Sequence, residues 1–273
     1  MSDFNPLQKY YRQPKVFIPL PSKGLFYPPA ALQGDYNNVP VFGMTGMDEI
    51  LFKTPDALFN GEASSKVIES CCPYIKNARK MPSLDVDTLL IAIRIATYGE
   101  MMSIGHRCKN CGADDEFEID LRGVLEYFSS LKFESSIPLG EITVNIKPLS
   151  YDELTNFSVE NFKLQRMLFQ SSDMSEEQQQ EHLNGIYQKL AELQVDLFML
   201  SIASVTTPEG VVEDQDQIRE WLRNTERPIY NTIKEQLEKN KAAWTIPKQP
   251  VTCSECGTPD TVEITMDQSN FFG

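Results

Sequence analysis

The sequence repeats one short motif, and the repeat constrains the fold more than any other feature. CKNCGADDEFEIDL (108–121) aligns without a gap on CSECGTPDTVEITM (253–266) at a constant offset of 145 residues. Two residues between cysteines let one tight turn present both sulfurs to a single ion, and the glycine that follows permits a left-handed backbone. An alternating segment typical of a short strand comes after each turn. The pattern predicts two zinc-ribbon-like hairpins.

The four motif cysteines, Cys108, Cys111, Cys253 and Cys256, are the predicted ligands of one zinc ion. Four thiolates fill a tetrahedral shell and leave no position for water or substrate, so such a zinc ion is structural. Two disulfides or four unrelated thiols are the alternatives; the absence of a secretion signal favours reduced thiols. The adjacent pair 71–72 lacks the motif spacing and is predicted to be small buried apolar residues.

Composition narrows the class of partner. The chain has 273 residues, 41 % hydrophobic and 23 % charged, so it can bury a sizeable core, and its net charge is −14. An anionic surface repels phosphate, which argues against nucleic acid as the main partner. The best candidate basic patch is His106, Arg107 and Lys109, and Asp114, Asp115 and Glu116 are expected to neutralise it. No apolar run could span a bilayer, and we expect a soluble protein made in the cytosol.

The predicted fold class is α+β: a mostly helical body, a small split zinc-ribbon-like β element, and an extended N-terminal arm rich in proline and aromatic residues. The predicted divisions are the arm (1–45), a helical part (46–100), the first knuckle and its strand (101–121), a helical body inserted in the ribbon (122–244), and the second knuckle with a tail (245–273). The arm could lie on the body or on a neighbouring subunit. The same choice stays open for the aromatic pair at 271–272.

Helix signals are strongest over Ser83–Tyr98, where apolar residues surround the axis and Arg94 needs an ion-pair partner or a route to the surface. Capping boxes at Ser150–Glu153 and Ser175–Gln178 open two further helices, to about 169 and 201. The second carries a predicted core stripe. Other predicted helices cover 47–53, a start at 54–55, 62–70, 123–131, 216–224 and 228–243; predicted strands cover 101–107, 116–121, 141–147 and 245–252, with a hairpin at 205–212.

Catalytic motifs are missing from the sequence. GxxxxGK[ST], GxGxxG, HExxH and GxSxG do not occur, and neither histidine, His106 or His182, has a motif around it. No set of nucleophile, base and stabilising group can be named. The sequence therefore predicts a protein that is not an enzyme.

Three stretches resemble a known family: LPSKGLFY (20–27), EILFKTPDALFNG (49–61) and DVDTLLIAIRIATYGE (85–100), with the first CxxCG after them. The chain resembles the baseplate hub subunit and hub-assembly proteins of T-even-like contractile-tailed bacteriophages. The resemblance implies a structural or assembly protein that binds other hub or tail proteins. It would act in the virion tail baseplate, in the host cytoplasm during assembly, or in both, and homo-oligomerisation stays open. The alternative is a zinc-ribbon nucleic-acid-binding or transcription-associated factor.

Overall fold

A computed structural model describes residues 5–54, 59–169, 176–265 and 271–272. Helices and strands are both present, so the fold class is α+β as predicted. The predicted helix start at 54–55 and the capping box at 175 lie partly outside the described residues. The α-helices are α1 (Gly46–Phe52), α2 (Glu62–Cys71), α3 (Val86–Tyr98), α4 (Arg122–Ser130), α5 (Tyr151–Phe169), α6 (Glu176–Leu200), α7 (Gln215–Asn224) and α8 (Arg227–Ala243).

The strands form three two-stranded sheets and one four-stranded sheet among the described residues, all antiparallel. The pairs are β1 with β2, β3 with β4, and β9 with β10; the larger sheet has the order β5-β6-β7-β8. The strands are β1 (Pro14–Ile18), β2 (Val39–Phe42), β3 (Met101–Arg107), β4 (Asp114–Asp120), β5 (Ser136–Leu139), β6 (Ile142–Ile146), β7 (Ile202–Thr207), β8 (Gly210–Val212), β9 (Gln249–Thr252) and β10 (Pro259–Val262).

The chain divides into two compact units. Unit 1 comprises 1–58, 62–131 and 246–273, and unit 2 comprises 59–61 and 132–245. Unit 1 therefore holds all three two-stranded sheets, and unit 2 holds the four-stranded sheet. No described helix is long and apolar enough to cross a membrane.

Helix α3 lies at the centre of the unit 1 core. Leu89, Ile91 and Ile93 are fully buried, as the apolar residues around the helix axis predicted. A 3₁₀ turn over Ser83–Asp85 precedes the helix, and Gly99, with φ of 97°, ends it. A positive φ of this kind is readily adopted only by glycine. The predicted helix over 83–98 is confirmed, with its first turn tightened.

The N-terminal segment is not confirmed as an extended arm. Strands β1 and β2 pair with each other, and both Val39 and Val41 have no exposed surface. The Arg12 guanidinium donates hydrogen bonds to the carbonyl oxygens of Gly43, at 2.6 Å, and Ser70, at 2.7 Å. Pairing and burial together place this part of the segment, from Arg12 onward, on its own unit. Both strands are sheet edges, where proline is tolerated.

A buried carboxylate anchors the LPSKGLFY turn. Asp85 accepts hydrogen bonds from the Ser22 backbone N–H at 2.8 Å, the Ser22 hydroxyl at 2.6 Å and the Tyr27 hydroxyl at 2.8 Å. Between these anchors, Lys23 and Phe26 adopt positive φ of 56° and 68°. Such conformations persist where surrounding contacts hold them. Desolvation raises the pKa of Asp85 to about 6, although the bonds from Ser22 and Tyr27 act to lower it.

Arg94 was expected to have a carboxylate partner or a route to the surface; it is partly exposed, and among the described residues it forms no ion pair. Its guanidinium instead donates to the carbonyl oxygens of Phe271, at 3.1 Å, Gly99 and Met101. Desolvation lowers the pKa of Arg94, as expected for a half-buried cation without a bonded carboxylate. Three backbone carbonyl oxygens thus take the place of an acidic side chain as hydrogen-bond acceptors for Arg94.

Unit 2 is built on the four-stranded sheet. Its core joins β5, β6 and β7 to the end of α6 and to α7 and α8. The buried members are Ile137, Val144, Ile146, Met199, Ile202, Val205, Ile218 and Ile233. The hairpin predicted over 205–212 is confirmed by the pairing of β7 with β8. The strand β5 was not predicted, because proline interrupts its short run.

The first predicted capping box is confirmed. The Glu153 carboxylate accepts from the Ser150 N–H at 2.7 Å, and the Glu153 N–H donates to the Ser150 hydroxyl at 3.2 Å. The core stripe predicted along α6 is only partly right. Ile186 is buried, but Tyr187 is 58 % exposed and Leu200 is 40 % exposed.

Candidate metal centre

Two equivalent hairpins carry the four motif cysteines, and both belong to unit 1. The last pair of β3–β4 is Arg107 with Asp114, and the last pair of β9–β10 is Thr252 with Pro259. Each residue of the first pair lies 145 positions before its counterpart in the second. The two copies of the sequence repeat therefore pair their strands in the same register.

The two turns also share their backbone hydrogen bonds. The N–H of Cys108 donates to the carbonyl of Ala113 at 2.8 Å, and the N–H of Gly112 donates to the carbonyl of Cys108 at 2.9 Å. The corresponding bonds of the second turn, from Cys253 to Thr258 and from Gly257 to Cys253, are both 3.0 Å. One turn geometry thus presents two sulfurs at each site.

The glycines after the second cysteines are left-handed, with φ of 76° at Gly112 and 68° at Gly257. Gly112→Ala is expected to destabilise unit 1 by about 1–2 kcal/mol, because an L side chain strains this conformation. Gly123→Ala is the matched control: it lies in α4 without positive φ and with open space around it. Alanine there should stabilise by about 0.5–1 kcal/mol. Chemical denaturation measures both; equal effects would contradict the turn argument.

All four sulfurs lie within 4.8 Å of one another. Across the two hairpins, Cys108 Sγ lies 3.7 Å from Cys256 Sγ, and Cys111 Sγ lies 3.6 Å from Cys253 Sγ. A tetrahedron with metal–sulfur bonds of about 2.3 Å has edges of about 3.8 Å. A disulfide needs about 2.05 Å, and all six cysteines are free in this structure. The sulfurs fit one tetrahedral ion.

The electrostatics of the cluster call for a cation. Hydrogen bonds from the Thr258 side chain and backbone, and then from Asn110, lower the pKa of Cys256 to about 6. Backbone bonds from Cys256 act to lower the pKa of Cys253, but desolvation and the neighbouring Asp115 help to raise it to about 12. Four thiolates this close repel one another strongly. A divalent ion removes that repulsion, so the four cysteines could hold a metal ion.

Each hairpin also contributes an aspartate to the turn of the other. Asp115 accepts hydrogen bonds from the Ser254 backbone N–H, at 3.2 Å, and the Ser254 hydroxyl. Asp260 accepts from Lys109, at 3.4 Å, and lies 3.0 Å from the His106 Nε2. Because 115 corresponds to 260 and 109 to 254, these contacts are related by an approximate two-fold axis. The sequence signal was present, since the two aspartates are identical in the repeat.

Acidic residues of both motifs neutralise the predicted basic patch. His106 and Lys109 share Asp260, from the other motif, and Arg107 donates to the Gly112 carbonyl. Of the acidic residues at 114–116 that were expected to neutralise the patch, Asp115 lies opposite His106 in the β3–β4 pairing and interacts with it electrostatically. His106 bonds a carboxylate and stands outside the sulfur cluster.

The remaining cysteines, Cys71 and Cys72, are fully buried and do not join the cluster, as predicted. Desolvation raises the pKa of Cys71 to about 11, which keeps its thiol neutral. The candidate centre is therefore the set Cys108, Cys111, Cys253 and Cys256. All four positions of a tetrahedral ion there would be filled by protein sulfur, which suits a structural metal and leaves no place for a substrate.

Comparison with protein families links this site to a known group. The family model described as T4 bacteriophage base plate protein matches residues 46–273. Comparisons with curated proteins and with solved structures gave no significant match. The matched region contains both cysteine motifs and the stretches 49–61 and 85–100, whereas LPSKGLFY precedes it. The chain belongs to the T4 bacteriophage base plate protein family.

Proposed function

We propose that this protein is a structural or assembly component of the baseplate hub. It acts by binding other hub or tail proteins, and Cys108, Cys111, Cys253 and Cys256 hold a structural zinc ion that closes unit 1. Family membership supports a structural role in the virion tail baseplate, with baseplate or tail proteins as partners. We further propose that the protein occupies the hub, that it acts in the host cytoplasm during assembly, and that it catalyses no reaction.

The observation that carries the metal assignment is the gathering of four sulfurs from motifs 141 residues apart in the sequence. Tetrahedral sites of four sulfurs select zinc or iron–sulfur centres. The distances between these four sulfurs fit a single ion, which favours zinc. Ordering a loop of this length costs a few kcal/mol of chain entropy. Structural zinc contributes about 10–16 kcal/mol in small peptides, so one ion suffices to hold the two hairpins together.

The surface supports a protein partner over nucleic acid. Tyr10 and Phe17 are 73 % and 55 % exposed, and large aromatic side chains of this kind are enriched at protein interfaces. The net charge of −14 repels a phosphate backbone. The basic residues beside the first turn are already engaged, as described above. We therefore place the partner surface on the exposed aromatic residues of the N-terminal segment.

Deleting residues 1–11 is expected to weaken binding to purified hub or tail proteins of the same phage at least about tenfold. The deletion removes the exposed Leu7, Tyr10 and Tyr11 but keeps the Arg12 contacts. Stability should change by no more than about 0.5 kcal/mol, as is usual for surface changes. Affinity is measured by calorimetry and stability by denaturation.

Arg12→Ala is the matched control for this deletion. It leaves two carbonyl oxygens without their donor, so it should cost about 1–3 kcal/mol of stability while partner affinity is retained. Unchanged affinity after the deletion would remove residues 1–11 from the interface. DNA binding that weakens steeply with salt would support the nucleic-acid alternative in place of the proposal.

A further inference from the structure

The turn that follows strand β1, residues 22–27, has a strained backbone and is hereafter called the strained turn. Among the residues that the structure describes, only Lys23, Phe26 and Ala30 combine a side chain with a left-handed φ, of 56°, 68° and 67°. This backbone is unfavourable for any residue that has a Cβ atom, whereas glycine adopts it freely. The sequence therefore keeps side chains at positions where glycine would remove the strain.

Contacts at both ends and in the middle hold the strained turn in one shape. The Asp85 carboxylate accepts from Ser22 and from the Tyr27 hydroxyl, as described above. In the middle, Gly24 has a φ of 72°, and a Cβ atom added to it would lie only 3.0 Å from Cδ1 of the Tyr36 ring. Strained backbone persists where surrounding contacts hold it in this way. The turn is thus formed before any partner binds.

The strained turn presents apolar side chains to solvent. Leu25 is 58 % exposed and Phe26 is 37 % exposed, and Tyr36, whose ring lies against the turn, is 38 % exposed. Lys23 is exposed as well. Burial within this chain therefore does not offset the strain at Lys23 and offsets only part of it at Phe26. Strained residues of this kind cluster at binding and switch sites, where their geometry serves a partner.

The charge of this part of the sequence indicates what kind of partner it fits. The chain has a net charge of −14, yet residues 4–34 contain four basic side chains and no acidic one. The four are Lys9, Arg12, Lys15 and Lys23. Complementary potentials select partners and speed their encounter. A surface that is both basic and apolar is matched by an apolar cleft with acidic residues at its rim.

We propose that the strained turn is a pre-formed docking site, and that its partner is another baseplate or tail protein with an apolar cleft rimmed by carboxylates. Leu25 and Phe26 enter the cleft, and Lys23 faces its acidic rim. Because the turn is already fixed, binding does not have to order it, which lowers the entropic cost of association. This inference rests on the proposed function and adds a second contact and the charge of the partner.

Leu25→Ser and Phe26→Gly test the docking site. The probe is each purified baseplate or tail protein of the same phage that binds the wild-type chain, titrated by calorimetry. Both variants should bind it at least about tenfold more weakly, because each loses an apolar side chain that the complex buries. Their melting temperatures should stay within about 3 °C of the wild-type value, since Leu25 is exposed and glycine at 26 relieves strain as it loses ring contacts.

Ala30→Gly is the matched control for Phe26→Gly. It relieves the same left-handed backbone but removes no large side chain, so the affinity should stay within about twofold of wild type. Lys23→Glu tests the acidic rim and should weaken binding at least about tenfold, because like charges then meet. Lys239→Glu, on α8 of unit 2, changes the net charge equally and should have less than about a twofold effect. Equal effects of the two reversals would overturn the acidic partner.

The outcomes separate this inference from the proposed function. Binding that is lost on deleting residues 1–11 but retained by Leu25→Ser and Phe26→Gly would overturn the docking site and leave the proposed function standing. A wild-type chain that binds no baseplate or tail protein would overturn both. Self-association of the wild-type chain in native mass spectrometry, abolished by Leu25→Ser, would make a second copy the occupant and overturn the proposed partner.

Discussion

Replacing Cys108 with serine is expected to reduce the bound zinc from one ion per chain to none and to destabilise unit 1 by several kcal/mol. The three sulfurs that remain cannot close the tetrahedral shell. A structural zinc ion contributes about 10–16 kcal/mol in small peptides, so even a fraction of that energy matters against a total stability of about 5–15 kcal/mol. Metal analysis with native mass spectrometry measures the ion, and calorimetry measures the melting temperature.

Cys72→Ala is the matched control for this experiment. Cys72 is fully buried but lies outside the cluster, so its replacement should cost only packing energy and leave one zinc ion per chain. Cys256→Ser should reproduce the effect of Cys108→Ser, because the two sulfurs belong to different hairpins of one site. Full metal content and an unchanged melting temperature in both serine variants would contradict the shared ion. So would two ions per wild-type chain.

The stability of unit 1 is expected to fall by about 2 kcal/mol, relative to Asp85→Asn, as the pH rises from about 4 to about 6. Burial raises the folded pKa of Asp85 to about 6, above the ordinary value of 3.8. Between these values the folded state holds a proton that the unfolded state releases. Raising the pH therefore favours unfolding, until the advantage is lost above the folded pKa.

Denaturant titrations at several pH values measure this difference. Asp87 also has a pKa raised to about 6 by desolvation, but it is present in both proteins and cancels in the comparison. Acid release of metal cancels for the same reason. A difference between wild-type protein and Asp85→Asn that stays flat, or rises with pH, would show that the hydrogen bonds from Ser22 and Tyr27 outweigh desolvation.

Sequence reasoning succeeded where the determining interactions are local. The strand Met101–Arg107 was predicted with its observed limits, and the cysteines came together because the motif specifies its own turn. It failed where contacts join distant positions that no repeated motif marks. Arg94 meets Phe271 across 177 residues, and Asp85 meets Ser22 across 63. Periodicity assigns a residue to a helix face but cannot identify a partner so far along the chain.

The N-terminal segment shows the same limit in another form. Prolines and a lack of helical period indicated extended backbone, which strands β1 and β2 have. They could not indicate that Val39 and Val41 would be fully buried, since burial depends on which other elements are near. The apolar stripe of α6 shows the opposite error: it was predicted to be buried, but some of its residues are exposed. An apolar periodicity does not guarantee that another element covers that face.

The separation of the two hairpins sets an order of events during synthesis. A ribosome adds about 5–20 residues per second, so the 141 residues between the motifs take roughly 7–30 s to translate. Throughout that interval Cys108 and Cys111 form a half-site whose second pair of thiols does not yet exist. Residues 132–245 of unit 2 are complete before Cys253 is made. Gathering the four sulfurs is therefore a late step, which cannot precede the synthesis of Cys256.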